Sequence, residues 1–325
     1  VMMDFRSAHY IMWAPELSWV YFACIWFWCT LGLISTKIEI FASKKYNADI
    51  MIEYPFCKIN IGLNIVNKRA DGYHNLETIF YPVPLTDVLE FKQLQHSDDP
   101  YRFQQVGHRL EGPAESNLVI RVYEQLRAEF DLPSLDIYLN KRIPSGAGLG
   151  GGSSDAAFMM RMLNTEFQLG LSDKQMEERV AAFGADCAFF IQGKPSFATG
   201  IGNELTPIDF TLKGWTLVLV KPQEAVSTKA AYASICPRPA DKFLPDSVQR
   251  PVEEWKDLIK NDFEATVFPQ FPKIAAIKET LYDMGAVYAA MSGSGSCVFG
   301  LFRRKQEAVR KVFSDCFVYQ SLIRQ

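Results

Sequence analysis

The sequence predicts a globular α+β protein with two domains, and three observations support this prediction. The chain has 325 residues, of which 48% are hydrophobic and 22% are charged, a composition typical of folded domains of ordinary size. Both strand-like and helix-like patterns occur from Met51 onward. The series of patterns starts again near residue 210, so we expect one domain over residues 51–210 and another over residues 211–325.

The first fifty residues differ from the rest of the chain. Residues 17–34, LSWVYFACIWFWCTLGLI, carry no charge, and 18 such residues reach the lower limit for a membrane-spanning helix. The segment lacks a basic start and an A-x-A-like cleavage site, so it is not typical of a secretion signal. We expect residues 1–50 to be an upstream extension outside the native protein, and a chain starting at Met51 to be functional. A true membrane anchor is the alternative.

Charge and cysteine content argue against two classes of function. The formal net charge is −3, so the chain has no basic field that would attract nucleic acid. The seven cysteines are odd in number and form no C-x-x-C pair, and the four histidines form no H-E-x-x-H motif. The sequence therefore predicts a cytoplasmic protein without a structural zinc site.

The first convincing strand carries candidate site residues. Apolar residues alternate with polar residues or glycine across CKINIGLNIV, residues 57–66, which is the period-two pattern of a half-buried strand. Lys58 and Asn60 therefore lie on its polar face. A turn-like NKRADGYHN follows, and then a second strand-like run, LETIFYPVPLTDVLEF, which we expect its two prolines to break.

Further patterns lead into and out of a glycine-rich segment. Apolar residues recur at helical spacing after Asn117, and residues 135–139 alternate as a strand. Ser153 or Ser154 is expected to cap the next helix, which should end near Gly170. A capping-box pattern at residues 172–175 predicts another helix, which should end near Gly184. Beyond residue 210 the predicted strands are WTLVLVKP, VYAAMS and SCVFGLF, with helices between them and a last apolar segment.

The glycine-rich segment is PSGAGLGGGSSDAA, residues 144–157. It contains G-x-G-x-x-G, but a long stretch of chain precedes it, unlike a Rossmann turn, and no lysine follows it, unlike a Walker loop. Glycines let backbone N–H groups approach anionic oxygens, a helix N-terminus attracts them, and a serine can bind a phosphate-bound magnesium ion. The segment therefore predicts a phosphate-binding loop of a third kind, with Ser153 or Ser154 as a candidate magnesium ligand.

This segment resembles the second motif, P-x-x-x-G-L-[GS]-S-S-A, of the GHMP kinases, the superfamily of galactose, homoserine, mevalonate and phosphomevalonate kinases. FCKINIGLNI and MSGSGSCVFG, residues 291–300, are similar to the first and third motifs in order and spacing. KRADGYHNLETIF, the triple glycine, FGADCAFFIQG at residues 183–193 and NDFE at residues 261–264 resemble one branch, whose substrate is a cytidine-diphosphate-linked alcohol. The resemblance covers about Glu53 to the C-terminus.

The resemblance implies a fold and a set of site residues. The expected fold has an N-terminal ATP-binding domain like ribosomal protein S5 domain 2, a ferredoxin-like C-terminal domain, and the active cleft between them. Lys58 and Asp186 would form the catalytic pair, Tyr73 and His74 would bind the cytosine, and Asn60 would contact the alcohol. The third-motif loop, Gly293, Ser294 and Gly295, would lie against the phosphates. The implied ATP-binding residues are Pro144, Ser145, Gly146, Ala147, Gly148, Leu149, Gly150, Gly151, Gly152, Ser153 and Ser154.

The implied reaction is phosphoryl transfer from ATP, with Mg²⁺, to the 2-hydroxyl of that alcohol in the non-mevalonate isoprenoid route. Lys58 would stabilise the phosphoryl charge, and Asp186 would accept the hydroxyl proton. The expected partners are ATP and the small-molecule substrate, bound by a monomer or homodimer. A mevalonate- or homoserine-type kinase is one alternative, although it has no reason to keep the DGYH turn. A noncatalytic nucleotide-binding member is another, although it would be expected to lack Lys58 or Asp186.

Each of these residues also has a purely structural explanation when it is taken alone. Lys58 could be an ordinary exposed lysine, and Asp186 could cap a helix after Gly184. Residues 71–74 could form a turn without a ligand, and residues 293–295 could form a hairpin. Their joint occurrence at the family's spacing favours a functional site. The segment EAVSTKAAY matches the family less well, so a role for Ser227 or Thr228 stays open.

Overall fold

The computed structural model describes residues 50–95, 97–108, 112–233 and 235–324, and the strands of these residues form three four-stranded sheets. The N-terminal strands are β1 Met51–Glu53, β2 Phe56–Lys68, β3 His74–Thr86, β4 Val88–Gln93, β5 Tyr101–Gly107, β6 Leu135–Lys141, β7 Ser196–Thr199 and β8 Glu204–Pro207. The helices among them are α1 Leu118–Phe130, α2 Gly151–Glu166, α3 Asp173–Val180 and α4 Phe189–Gln192, with a 3₁₀ turn at Ala114–Ser116.

These strands form two mainly antiparallel sheets. One has the order β1-β4-β6-β5, with only β5 and β6 parallel, and the other has the order β2-β3-β7-β8. The predicted strand at residues 135–139 is confirmed, and its apolar side chains are buried in one cluster with residues of α1 and α2. Asn117 caps α1 by accepting a hydrogen bond from the backbone N–H of Val119.

The C-terminal region contains the third sheet. Its elements are β9 Thr216–Lys221, α5 Thr228–Ala233, α6 Leu244–Val248, a 3₁₀ turn Val252–Glu254, α7 Trp255–Leu258, α8 Glu264–Gln270, α9 Pro272–Asp283, β10 Tyr288–Met291, β11 Val298–Phe302, α10 Val309–Val312 and β12 Phe317–Leu322. The sheet is antiparallel with the order β10-β11-β9-β12. Helices therefore separate β9 from β10 and β11 from β12, which is the β-α-β-β-α-β arrangement of a ferredoxin-like fold. This confirms the predicted α+β class.

The strand pair β2–β3 differs from the sequence prediction in two respects. Lys58 and Asn60 lie on the polar face of β2 as expected, but that face is covered, and the two residues are only 4% and 3% exposed. The prolines do not break the second strand, because β3 continues through Pro82 and Pro84 to Thr86. β7 pairs with β3 only at residues 78–80, so neither proline lies where β7 needs a backbone N–H donor from β3.

Helix α2 starts and ends earlier than predicted. Its N-cap is Gly150, in the left-handed conformation, and Ser153 and Ser154 lie inside the first turn rather than at the cap. The helix ends at Glu166, four residues before Gly170. The predicted capping box of α3 is confirmed, although α3 ends at Val180 rather than near Gly184.

Residues 51–325 pack as one unit, and buried residues from both predicted domains belong to one cluster. Ile59 of β2, Leu219 of β9 and Phe299 of β11 are members of it. The predicted boundary near residue 210 falls between β8 and β9 and stays a proposal. Within the described ranges, no helix has the length and apolarity to cross a membrane. The apolar segment at residues 17–34 lies outside those ranges.

Candidate active site

A cleft of about 880 Å³ brings together residues from each of the predicted motifs. Lys58 comes from β2, Gly148 from the loop between β6 and α2, and Asp186 from the turn before α4. His74 begins β3, and Gly293 lies in the connection between β10 and β11. Segments that are far apart in the sequence thus share one cavity, large enough for a small-molecule ligand.

Lys58 is held in a fixed position at the base of this cleft. Its Nζ donates hydrogen bonds to Asn60 Oδ1 at 2.7 Å and to the carbonyl oxygen of Gly148 at 2.9 Å. Burial lowers the pKa of Lys58, and the negative charge of Asp186 opposes this shift. The ammonium therefore depends on its oxygen partners to stay charged in a site that excludes most water.

Asp186 provides the carboxylate of the pair. Its Oδ2 lies 3.5 Å from Lys58 Nζ, and its side chain is 32% exposed. Helix α4 begins at Phe189 with Ala188 as its N-cap and has no side-chain cap, so Asp186 does not serve as a helix cap. The carboxylate is thus directed toward the cleft, where one side contacts Lys58 and the other is open to a ligand.

The glycine-rich loop presents its backbone to the cleft. Gly146, Gly148 and Gly150 line the cavity, whereas the side chains of Ala147 and Leu149 are buried in the core. At Gly148 the φ angle is +72°, and a Cβ there would stand 2.0 Å from the carbonyl oxygen of Ser292. A Cβ at Gly150 would stand 2.8 Å from the ring of Phe190 and 3.2 Å from Lys58 Cε. Glycine at these positions is therefore required by close packing.

The third-motif loop packs against the glycine-rich loop. Ser292 Oγ donates to the carbonyl oxygen of Gly148 at 2.9 Å and accepts from the backbone N–H of Asn60 at 3.2 Å. The backbone N–H of Cys297 donates to the carbonyl oxygen of Ala147 at 3.2 Å. The loop does connect two antiparallel strands, as a hairpin would, but Gly293, Ser294 and Gly295 also line the cleft.

Aromatic residues occupy the end of the cleft where the cytosine site is predicted. The imidazole of His74 stacks on the ring of Tyr232 of α5, with centroids 5.1 Å apart and an angle of 21° between the planes. Tyr232 in turn meets Phe263 edge-to-face at 4.9 Å. Tyr73 is 62% exposed at the rim, which leaves its ring free to contact a ligand. Burial, followed by the charge of Lys68, lowers the pKa of His74, which favours the neutral imidazole.

The candidate magnesium ligands lie apart from this cleft. Neither Ser153 nor Ser154 is among the described residues that line it, and Ser154 is fully buried with an Oγ that lacks a hydrogen-bond partner. In the described ranges, no group of three or more His, Cys, Asp or Glu residues could hold a metal ion. Among the described residues that line the cleft, Asp186 has the only carboxylate and His74 the only imidazole.

A buried charge cluster supports the glycine-rich loop from behind. Lys141, at the end of β6, contacts Asp87 and donates a hydrogen bond to Asp155 Oδ2 of α2 at 2.6 Å. Asp87 also accepts from the backbone N–H of Ile143 at 2.8 Å. The cluster ties the strand that precedes the loop to the helix that follows it. Sequence reasoning missed these residues, because nothing in the local pattern separates them from surface charges.

A second cavity, of about 470 Å³, is lined in part by the first turns of α2. Gly152, Asp155, Asn117 and Leu118 are among its lining residues. Gly152 therefore faces one cavity, while Gly146, Gly148 and Gly150 face the other. Sequence reasoning also missed this cavity, and it missed Tyr232 and Phe263 in the cleft. Thr228, which it left open, lines the cleft and lies within hydrogen-bond distance of Ser294, with the two oxygens 3.0 Å apart.

Comparisons with known proteins agree with this geometry. Residues 117–194 match the family model for the GHMP kinases N terminal domain, and residues 243–317 match the model for the GHMP kinases C terminal. A 4-diphosphocytidyl-2-C-methyl-D-erythritol kinase from Bacteroides fragilis is 54% identical over 274 residues, which is 84% of this chain and 100% of the relative. The protein of that name from Porphyromonas gingivalis is 46% identical over 275 residues, again 84% and 100%.

Solved structures show the same relationship. A crystal structure of 4-(cytidine 5'-diphospho)-2C-methyl-D-erythritol kinase is 27% identical, with a TM-score of 0.70 over 83% of this chain and 98% of that one. The Methanococcus jannaschii mevalonate kinase is 14% identical, with a TM-score of 0.63 over 85% and 98%, and it shows the shared fold alone. From the identity to its relatives and the two matching domain models, the chain belongs to the 4-diphosphocytidyl-2-C-methyl-D-erythritol kinase family of GHMP kinases.

Proposed function

We propose that the cleft transfers the γ-phosphoryl group of ATP to the 2-hydroxyl of 4-diphosphocytidyl-2-C-methyl-D-erythritol, giving the 2-phosphate of the non-mevalonate route to isopentenyl diphosphate. One observation carries this proposal. Lys58 and Asp186 pair at 3.5 Å between a glycine-rich loop and a group of aromatic rings. A phosphate group, a hydroxyl and a nucleobase can therefore be held in one cavity.

Lys58 and Asp186 have separate tasks in the reaction. The hydroxyl oxygen attacks the γ-phosphorus, the bond to the bridging oxygen breaks, and ADP leaves. Asp186 accepts the proton that the hydroxyl loses. An ammonium has three donors, and two of those of Lys58 are used by Asn60 and Gly148, so the third is free for the transferring group or for Asp186. Most of the rate enhancement comes from alignment and charge stabilisation.

Magnesium would enter this site with ATP. It prefers oxygen ligands, keeps several waters and is commonly bound through phosphates, which agrees with the single carboxylate among the described residues that line the cleft. When bound, it neutralises charge on the phosphate chain. The carboxylate of Asp186, which is 32% exposed, is the only charged oxygen among the described residues that line the cleft.

The two cavities suggest how ATP lies across the loop. The γ-phosphoryl group must reach Lys58 and Asp186 in the larger cavity. The first residues of α2 form a helix N-terminus, which favours anionic groups, and Gly152 opens onto the smaller cavity. We assign the phosphates to the loop and the rest of ATP to the smaller cavity, beside Asn117 and Leu118.

The aromatic end of the cleft is assigned to the cytosine. Stacking of a base on an aromatic ring contributes about 1 to 3 kcal/mol, and Tyr73 is exposed for such a contact. The neutral imidazole of His74 has one donor and one acceptor for the base edge. Asn60, beside Lys58, is placed to contact the erythritol portion.

An ADP-release assay across candidate alcohols tests the proposal. We expect turnover with 4-diphosphocytidyl-2-C-methyl-D-erythritol, and at least about tenfold lower kcat/KM with free methylerythritol, because the stacking energy of the base is lost. Mevalonate and homoserine should give no activity above background. Equal rates with mevalonate or homoserine would overturn the assignment to this substrate.

A further inference from the structure

We propose that Asn261 is a positioning residue that sets the third-motif loop and, through it, the ammonium group of Lys58. The inference rests on the proposed function, because it concerns the geometry in which that reaction occurs. Asn261 begins the NDFE segment, residues 261–264, which follows α7 and ends at the first residue of α8. No step of the reaction described above uses this segment.

Every polar atom of the Asn261 side chain is bonded to backbone. Its Nδ2 donates to the carbonyl oxygens of Met291 at 2.7 Å and Gly293 at 2.8 Å, and its Oδ1 accepts from the N–H of Phe263 at 3.0 Å. The residue is only 4% exposed, so water cannot readily replace these bonds. The two carbonyl groups flank Ser292, and the amide therefore fixes the backbone on both sides of that serine.

Ser292 connects this backbone to Lys58. Its Oγ donates to the carbonyl oxygen of Gly148 at 2.9 Å. That carbonyl oxygen also accepts a hydrogen bond from Lys58 Nζ at 2.9 Å. The backbone N–H of Asn60 donates to Ser292 Oγ at 3.2 Å. A displacement of Ser292 would thus disturb one of the two hydrogen bonds that orient the Lys58 ammonium.

The other residues of the segment contact neighbouring parts of the same assembly. Asp262 Oδ2 accepts from the backbone N–H of Ile65 on β2 at 2.8 Å, and Glu264 Oε1 accepts from that of Met291 at 2.8 Å. Phe263 lies against Tyr232 at the aromatic end of the cleft. Neighbouring residues of one segment therefore act on different parts of the site, Asn261 on the reacting end and Phe263 on the nucleobase end.

The test compares two asparagine-to-aspartate variants. Asn261→Asp places a carboxylate oxygen where Nδ2 donates to two carbonyls, so the loop must move. Asn164→Asp is the matched control, since the Asn164 amide also bridges backbone groups, the N–H and carbonyl oxygen of Leu171, at 2.9 and 3.0 Å. Asn164 lies 13 residues along α2 from its first residue, or about 20 Å from the glycine-rich loop. Both variants and Phe263→Leu are assayed with 4-diphosphocytidyl-2-C-methyl-D-erythritol at saturating ATP.

We expect Asn261→Asp to lower kcat by about 10- to 100-fold, because a misplacement of about 1 Å can reduce rates to this extent. Its KM for the cytidyl substrate should stay within about threefold of the wild-type value. Phe263→Leu should show the reverse pattern, with a raised KM and a nearly unchanged kcat. If Asn261 had a purely structural role, Asn261→Asp would have a lower melting temperature, but the two variants Asn261→Asp and Phe263→Leu would not show opposite effects on kcat and KM.

Several outcomes would overturn the inference while leaving the proposed function intact. One is an active wild-type enzyme in which Asn261→Asp and Asn164→Asp have the same kcat. If Asn261→Asp does not fold, Asn261→Ser removes the amide without adding a charge and should show the same loss of kcat. Failure of both to fold, with Asn164→Asp folded, would mean that Asn261 is needed for the fold itself and would also overturn the inference. An inactive wild-type enzyme would instead reject the proposed function.

Discussion

Lys58 places a buried ammonium group at the base of the cleft, and lysine side chains are almost never fully buried unless they are paired. Lys58 is 4% exposed, and removing a charge from water is unfavourable unless polar partners compensate. Its partners here are two neutral oxygens and one carboxylate that is partly open to solvent. This arrangement leaves the positive charge incompletely neutralised, as a site for a transferring phosphoryl group requires.

The pair should behave as one unit in kinetics. We expect Asp186→Asn and Lys58→Ala each to lower kcat by about 10²- to 10³-fold, the lower part of the range for general-base catalysis, because the loose transition state needs little early proton removal. The double variant should be scarcely slower than the slower single variant. The measurement is kcat at saturating ATP and magnesium, with nucleotide binding determined separately. Retention of more than about half of the wild-type kcat by Asp186→Asn would rule out a general base at this position.

Individual site residues differ in how far the sequence could predict them. Lys58 and Asp186 lie in motifs that resemble those of a known family, and the structure brings the two side chains together. Tyr232 lies in a short helix, TKAAYA, whose sequence has no distinctive pattern. Its importance comes from stacking on His74, 158 positions earlier in the chain. Such a contact depends on the packing of distant segments, which local periodicity does not report.

At the scale of elements, some features of the strands and helices follow from local sequence and others depend on contacts with distant residues. The alternation of strand residues and the capping box of α3 were predicted from local sequence, because period and caps are local properties. The start of α2 was not. The serines suggested a cap, but Gly150 takes that position because the chain approaches Phe190 and Lys58 too closely there for a side chain.

The buried cluster behind the loop should make stability depend on pH. Burial raises the pKa of Asp155, and this effect exceeds the lowering of that pKa by the positive charge of Lys141. Above a pH of about 4, the ordinary carboxyl pKa, the Asp155 carboxyl loses its proton in the unfolded chain but keeps it in the folded chain. The free energy of unfolding therefore falls as the pH rises from about 4 toward the pKa of Asp155 in the folded chain. Asp155→Asn removes the titration and keeps an oxygen for Lys141. The melting temperature of Asp155→Asn minus that of the wild type should therefore be larger at pH 8 than at pH 5.

Thermal unfolding of nucleotide-free protein at the two pH values provides this measurement. Asp283→Asn, which removes an exposed carboxylate at the end of α9, controls for the general effect of one less negative charge. If the difference between Asp155→Asn and the wild type is the same at pH 5 and pH 8, Asp155 does not titrate as we describe.

At the scale of the whole molecule, the site exists because two distant loops meet. The hydrogen bond from Ser292 Oγ to the carbonyl oxygen of Gly148 joins residues 144 positions apart. The third-motif loop is the connection between β10 and β11 of the ferredoxin-like sheet, and the glycine-rich loop connects β6 to α2. The motifs predicted which segments would meet, because their order and spacing resemble those of a family. Their three-dimensional arrangement, and the cavity beside Gly152, required the folded structure.

The central claim is that this cleft moves a phosphoryl group from ATP onto a carbon-bound hydroxyl. Phosphorus-31 NMR of the products formed by the wild-type protein with ATP, magnesium and 4-diphosphocytidyl-2-C-methyl-D-erythritol tests it most directly. We predict that the γ-phosphate resonance of ATP is replaced by one new phosphomonoester resonance coupled to the C2 position, and that the Lys58→Ala/Asp186→Asn double variant forms little of this product in the same time. Formation of ADP with inorganic phosphate, and no ester, would contradict the account.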